Sequence, residues 1–93
     1  MIIGSLIAEI FVYESQSLKD KRTVIRSTLQ RTRNKFNAAA AEVGDADLWQ
    51  KATLGVVVIG GDQAHAERQI QRILRFFESD PRLEVVSRAV EYL

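Results

Sequence analysis

The sequence predicts an α+β fold in which two helices cover one face of a four-stranded antiparallel sheet. Three observations carry this expectation. Two long stretches, Ser17 to Asn37 and Gln63 to Glu78, repeat their apolar residues at helical spacing, and neither contains Gly or Pro. Two other stretches read as strands: Ile2 to Tyr13, whose apolar residues share one parity, and Lys51 to Ile59, a β-rich run apolar on both faces. These four segments, with shorter strand-like runs at Ala38 to Val43 and Leu83 to Leu93, follow one another as β-α-β-β-α-β. Ninety-three residues make a single domain spanning 1–93, enough chain for one core.

In the first strand Ile2, Leu6, Ala8, Ile10 and Val12 share the core parity, with Gly4 between them. Ile3, Ser5, Ile7, Glu9, Phe11 and Tyr13 take the other face, which is mixed and not polar. Glu14 to Gln16 connects to the first helix. Ser17 is placed to cap that helix, and Asp20 suits the positive end of its dipole. Leu18, Ile25, Leu29, Thr32 and Phe36 then fall in one narrow stripe at about 100° per residue. The helix has a natural stop near Phe36 and Asn37. The Ala run that follows looks helical by propensity alone. It is assigned to a short strand, Ala38 to Val43, because a strand is needed before the next hairpin.

Gly44 to Gln50 reads as a loop, with Trp49 expected to pack back on the body. Lys51 to Ile59 is apolar on both faces, as suits a central strand. Gly60 and Gly61 break it, and Asp62 caps the second helix. There Ala66, Ile70, Ile73, Leu74 and Phe77 form the buried stripe, while His65, Arg68, Arg72 and Arg75 point away from it. Ser79-Asp80-Pro81 ends the helix. The last strand, Leu83 to Leu93, has an ambiguous register, and its Glu84, Arg88 and Glu91 suggest an exposed edge. This element order is the ferredoxin-like, split βαβ pattern. It implies a βαββαβ sandwich with sheet order 4-1-3-2 and both helices on one face.

Composition excludes several classes. There is no cysteine, hence no disulfide and no thiolate metal site, a weak fit to a reducing cytoplasm. The first residues lack a basic run and carry Glu9, unlike a signal peptide, and no apolar run approaches the roughly 20 residues needed to span a bilayer. A cytoplasmic protein without membrane contact is expected. His65 has no Ser, Asp or Glu spaced to make a triad, Asp45 and Asp47 fall short of a calcium loop, and Asp62 would repel a phosphate at Gly60-Gly61. No catalytic residue, metal site or cofactor is expected, and the chain does not read as an enzyme.

Charge is the informative feature. The first helical stretch holds Lys19, Lys21, Arg22, Arg26, Arg31, Arg33 and Lys35 against Asp20 alone, a balance of +6, whereas the remainder carries −5. Lys19, Arg22, Arg26 and Arg33 lie along one flank of the apolar stripe. Lys21, at the start of the helix, would extend the row. Such a row suits RNA phosphates, which bind cations by counterion release without sequence readout. The plainer alternative is a solvated helix pairing with Glu9, Glu14, Glu42 or Glu84. A different class, an interaction domain, is suggested by the open sheet face, where Ile7, Phe11 and Val57 would expose an apolar patch that a homodimer would bury.

The stretch ending in QSLKDKR, the later RNKFNAAAAEV and the closing SDPRLEVV resemble the YlxP-like family of small bacterial proteins across essentially the whole chain. The most telling part is Ser17-Leu18-Lys19-Asp20-Lys21-Arg22, which resembles that family's helix-opening motif. The resemblance implies a ferredoxin-like domain of unknown function. The family's genes often lie among translation and ribosome-maturation genes, which implies RNA or ribosome association. It has no established catalytic residues to carry over.

Overall fold

The computed structural model describes residues 1–93. Strand β1 spans Ile2–Val12, helix α1 Leu18–Lys35, strand β2 Ala38–Gly44, strand β3 Lys51–Gly60, helix α2 Gln63–Glu78 and strand β4 Leu83–Tyr92. The sheet runs β2-β3-β1-β4 with every neighbouring pair antiparallel, the expected ferredoxin-like order read from its other edge. The two most apolar strands are therefore central. β1 and β3 pair from Ile2 opposite Gly60 to Phe11 opposite Lys51.

The alternation in β1 and β3 decides which face meets the helices. Leu6, Ala8, Ile10 and Val12 of β1 and Ala52, Leu54, Val56 and Val58 of β3 are all buried under them. α2 lies over β1, β3 and β4, and presses Ala66, Ile70, Ile73, Leu74 and Phe77 into this layer. α1 sits beside it over the β2 edge and contributes Ile25 and Leu29. Gly60 marks a close approach: a Cβ there would lie 2.8 Å from the Ala66 backbone nitrogen and 2.9 Å from the Asp62 carbonyl oxygen. The first turn of α2 can pack on the end of β3 only because that side chain is missing.

The strand ambiguities resolve through two irregularities. The register between β1 and β4 shifts at Glu9/Ile10, so that Glu9 faces Ser87 while Ile10 faces Val85, leaving Val86 as the extra residue. β2 pairs with β3 from Ala38 opposite Val58, and shifts between Glu42 and Gly44. The Ala run is thus a strand, held by its partner against its own helical propensity. The loop Asp45 to Gln50 departs from expectation. Trp49 does not anchor it, since the indole is about half exposed. The loop is fastened instead through its backbone, with Ser15 Oγ donating to the Trp49 carbonyl and the Val12 amide to the Gln50 carbonyl.

Candidate nucleic-acid interface

α1 starts where Ser17 Oγ accepts a hydrogen bond from the Asp20 amide at 3.1 Å, while Asp20 accepts one from the Gln16 amide at 3.2 Å. It ends where the Phe36 amide donates to Thr32. Between these caps, the inward stripe turns Lys19, Arg22, Arg26 and Arg33 outward, and all four are exposed. None makes an ion pair. Arg33 donates one hydrogen bond from Nη2 to the Ala40 carbonyl at 2.9 Å, which fixes its guanidinium at the β2 edge with other donors free. Arg22 and Arg26 border a shallow recess with Ile25, Leu29 and Glu42.

Lys21 does not belong to this row. Its side chain is fully buried, and Nζ lies 2.9 Å from Glu42 Oε2. The ammonium also donates to the carbonyls of Asp45 at 2.9 Å, Ala46 at 3.2 Å and Lys51 at 3.1 Å. A lysine with this many oxygens around it and no exposed surface has no donor to offer a phosphate. The physical reason is its angular position. Lys21 falls between the buried Thr28 and Thr32 around the helix, on the far side of the apolar stripe from the exposed row. Glu42, a partner considered for the exposed row, is taken by this buried amine.

The other flank of α1 forms a cluster that sequence reading did not assemble. Phe36 and Phe76 meet edge to face at 5.5 Å between ring centroids. Arg31 lies over the Phe76 ring at 5.2 Å, and Lys35 at 5.1 Å from Phe76 and 5.9 Å from Phe36. Arg72 approaches Phe36 from α2 at 5.8 Å. With Arg75 and Ser79, the rings, Lys35 and Arg72 line an open recess of about 260 Å³. A signal existed: Arg68, Arg72 and Arg75 are spaced four and three apart on the polar face of α2, next to Phe76. What the sequence did not show is that the two helix ends converge there.

The one carboxylate in ion-pair contact with this cluster is already engaged. Asp80 takes Arg82 Nη2 at 2.8 Å on Oδ2, and the Arg82 backbone amide at 2.9 Å on Oδ1. Arg31 reaches it only at 3.8 Å. The side-chain hydrogen bonds from Arg82 hold the Asp80 carboxyl below its usual range against the opposing effect of burial, with its backbone amide and the charges of Arg82 and Arg31 adding to the lowering.

On the sheet face away from the helices, Ile7 and Val57 are each more than two-fifths exposed, as are Val43, Ile59 and Val86. Ile7 and Val43 lean toward each other over Gly55. Phe11 is half-buried and packs edge to face on Tyr13 at 5.5 Å. His65 is exposed in the first turn of α2, where its amide donates to Asp62 at 2.8 Å. Asp45 accepts from Thr53 Oγ1 at 3.0 Å. No helix is long and apolar enough to cross a membrane.

These features define a ferredoxin-like α+β domain with a cationic helical layer and an apolar sheet face. The chain belongs to the family described as Protein of unknown function (DUF503), whose model matches residues 3–90. It is 36% identical over 83 residues to the uncharacterized protein YlxP of Bacillus subtilis (strain 168), covering 89% of this chain and 90% of that protein.

Proposed function

We propose that this protein is a non-catalytic, RNA- or ribosome-associated factor of the cytoplasm that holds backbone phosphates through α1. The observation that carries the reading is the unpaired state of the helical charge. The two helices hold ten of the thirteen Lys and Arg residues and only Asp20, Glu67 and Glu78 of the acids. Of those ten cations, only Lys21 and Arg31 contact a carboxylate. A solvated helix neutralised by neighbouring acids would pair them; here Glu42, the acid beside Arg22 and Arg26, is taken by Lys21. Lys19, Arg22, Arg26 and Arg33 rise by about 4.5, 6 and 10.5 Å between successive members, a row that can follow a phosphate backbone. Four contacts correspond to a fall of log affinity with log salt at a slope near about −3 to −4. The test is a salt series with ribosomal RNA fragments, wild type beside Arg22→Glu/Arg26→Glu/Arg33→Glu, with circular dichroism to confirm folding. The triple variant is expected to fold and to lose binding without regard to sequence, since phosphate contacts position a protein without reading bases. Equal binding by the folded variant would leave the row as a solvated face.

A second reading is supported by the exposed Ile7, Val43, Val57 and Ile59 on the outer sheet face. A second copy of the chain would cover them, in a closed two-fold dimer. Sheet-to-sheet packing is favoured because it keeps the two cationic layers on opposite outer surfaces. The readings are compatible, since such a dimer leaves both α1 rows free.

A further inference from the structure

The recess at the converging helix ends matches a ligand that is both flat and negatively charged. We propose that it holds one unpaired nucleotide of the RNA, the base against Phe36 and Phe76 and the adjoining phosphates on Lys35, Arg72 and Arg75. This rests on the reading of the protein as an RNA-phosphate binder and adds what kind of RNA it takes: a structured segment with a single-stranded nucleotide beside it.

Four observations converge. First, the rings are half-buried, not sealed in the core, and they line an open recess. Aromatic faces that reach the surface are where single-stranded bases stack, and stacking is tolerant of base identity. Second, Arg31, Lys35, Arg72 and Arg75 surround these rings, and Asp80 is the one carboxylate in ion-pair contact with any of them. That carboxylate is given over to Arg82, so the cluster keeps its positive field. Third, at about 260 Å³ the recess is smaller than the roughly 300–1,000 Å³ of pockets that enclose drug-sized ligands, a size that suits one base with its sugar outside. Fourth, the recess lies at the same end of α1 as Arg33. Lys35 follows Arg33 by two residues, about 200° around the helix, so a strand leaving the row reaches the recess by crossing the outer face of α1.

Lys35 also explains how the ring surface opens. Its ammonium rests over both rings with no ion pair, on a flexible four-carbon stem. Moving that ammonium onto an incoming phosphate frees the ring face for the base. Arg72, which stacks on Phe36 from the α2 side, presents a planar cation to the same base.

The experiment compares three labelled RNA hairpins by fluorescence anisotropy at one salt concentration: blunt, extended by two adenosines, and extended by two abasic nucleotides. The two tails add the same phosphates and differ only in bases. The wild type is expected to bind the adenosine tail about 5- to 150-fold more tightly than the abasic tail, the effect of stacking one base. Phe76→Leu keeps an apolar side chain but removes the ring, and is expected to bring the two tails to parity while binding the blunt hairpin as before. Arg72→Glu/Arg75→Glu changes exposed positions only, and is expected to weaken both tailed hairpins and reduce their salt slope by about 1 to 2. Equal wild-type affinity for the two tails overturns this inference and leaves the α1 row standing. Failure of the wild type to bind any hairpin overturns both. Persistence of the adenosine preference in Phe76→Leu also overturns the inference; should that variant not fold, an unchanged slope in Arg72→Glu/Arg75→Glu does so instead.

Discussion

Lys21 puts an ammonium on the buried side of α1, beside Thr28 and Thr32, and the fold surrounds it with oxygen. Glu42 neutralises the charge, and the carbonyls of Asp45, Ala46 and Lys51 share its other two N–H donors. One side chain thereby ties the first turn of α1 to β2, the following loop and the start of β3. Removing it leaves three carbonyls short of a donor and a carboxylate without its counter-charge. Lys21→Met is expected to cost about 3 kcal/mol, the low end of the range for breaking a buried pair, because Glu42 keeps 21% of its side chain in contact with water. Urea titration measures this; a loss below about 0.5 kcal/mol would mean that the cage contributes nothing net. Adding Glu42→Leu is expected to recover part of the loss, since replacing both ions with apolar groups relieves the unpaired charge. By spacing Lys21 falls just beyond Thr32, at the edge of the apolar stripe and opposite the row it was expected to extend. Its chemistry argued for the surface, since lysine is almost never fully buried unless paired. Its partners come from 21 to 30 residues away, a distance at which local pattern carries no information.

The turn between α2 and β4 is held by a second charge cluster. Asp80 accepts from Arg82 through both oxygens, Arg82 Nη2 donates to Ser27 Oγ of α1 at 3.4 Å, and Arg31 stands nearby. Because folding lowers the Asp80 pKa, the unfolded chain binds more protons between the two values, and stability rises with pH across that window. The contribution is fully present above the ordinary carboxyl value of about 4 and is lost as pH falls through the lower, folded value. Asp80→Asn is expected to flatten this part of the profile, seen as denaturation midpoints at pH 6 and pH 3 that differ less than in the wild type. An unchanged difference would assign the acid sensitivity to other carboxylates. The elements on either side were readable from the chain because each carries its own signal: a cap at Ser17 or Asp62, an apolar stripe, or a β-rich run. β4 was less readable. Its bulge at Val86 is set by pairing with β1, and a one-residue shift of that kind leaves no mark on composition. The exposed Trp49 was misplaced for a similar reason, since the backbone bonds that hold its loop involve no apolar side chain.

Across the molecule, charge and apolar surface separate into layers. The helical side holds most of the cations, whereas Glu9, Glu84 and Glu91 belong to β1 and β4. Sequence showed the polarity of α1 but not its continuation onto α2, which exists only once the two helices lie side by side on one face. The apolar outer sheet face was foreseen from parity, and the structure leaves Ile7 and Val57 near its centre, on the two middle strands. Two copies meeting helix to helix would bring like charges together. Meeting sheet to sheet, they bury Ile7, Val43, Val57 and Ile59 and keep the cationic layers apart. Val57→Lys places a charge in the middle of that contact, where it loses hydration without gaining a partner. In the monomer the same side chain stands in water at a position 42% exposed, so the fold should survive. The expected outcome is a wild type that sediments as a dimer at high micromolar concentration and a Val57→Lys variant that shifts toward monomer with unchanged circular dichroism. A wild type that stays monomeric under those conditions would rule out the sheet-face dimer and leave the face open to another partner. RNA affinity distinguishes the two surfaces. If the phosphate row and the dimer face are separate, Val57→Lys should retain the salt slope of the wild type, because none of the four row residues lies on the sheet.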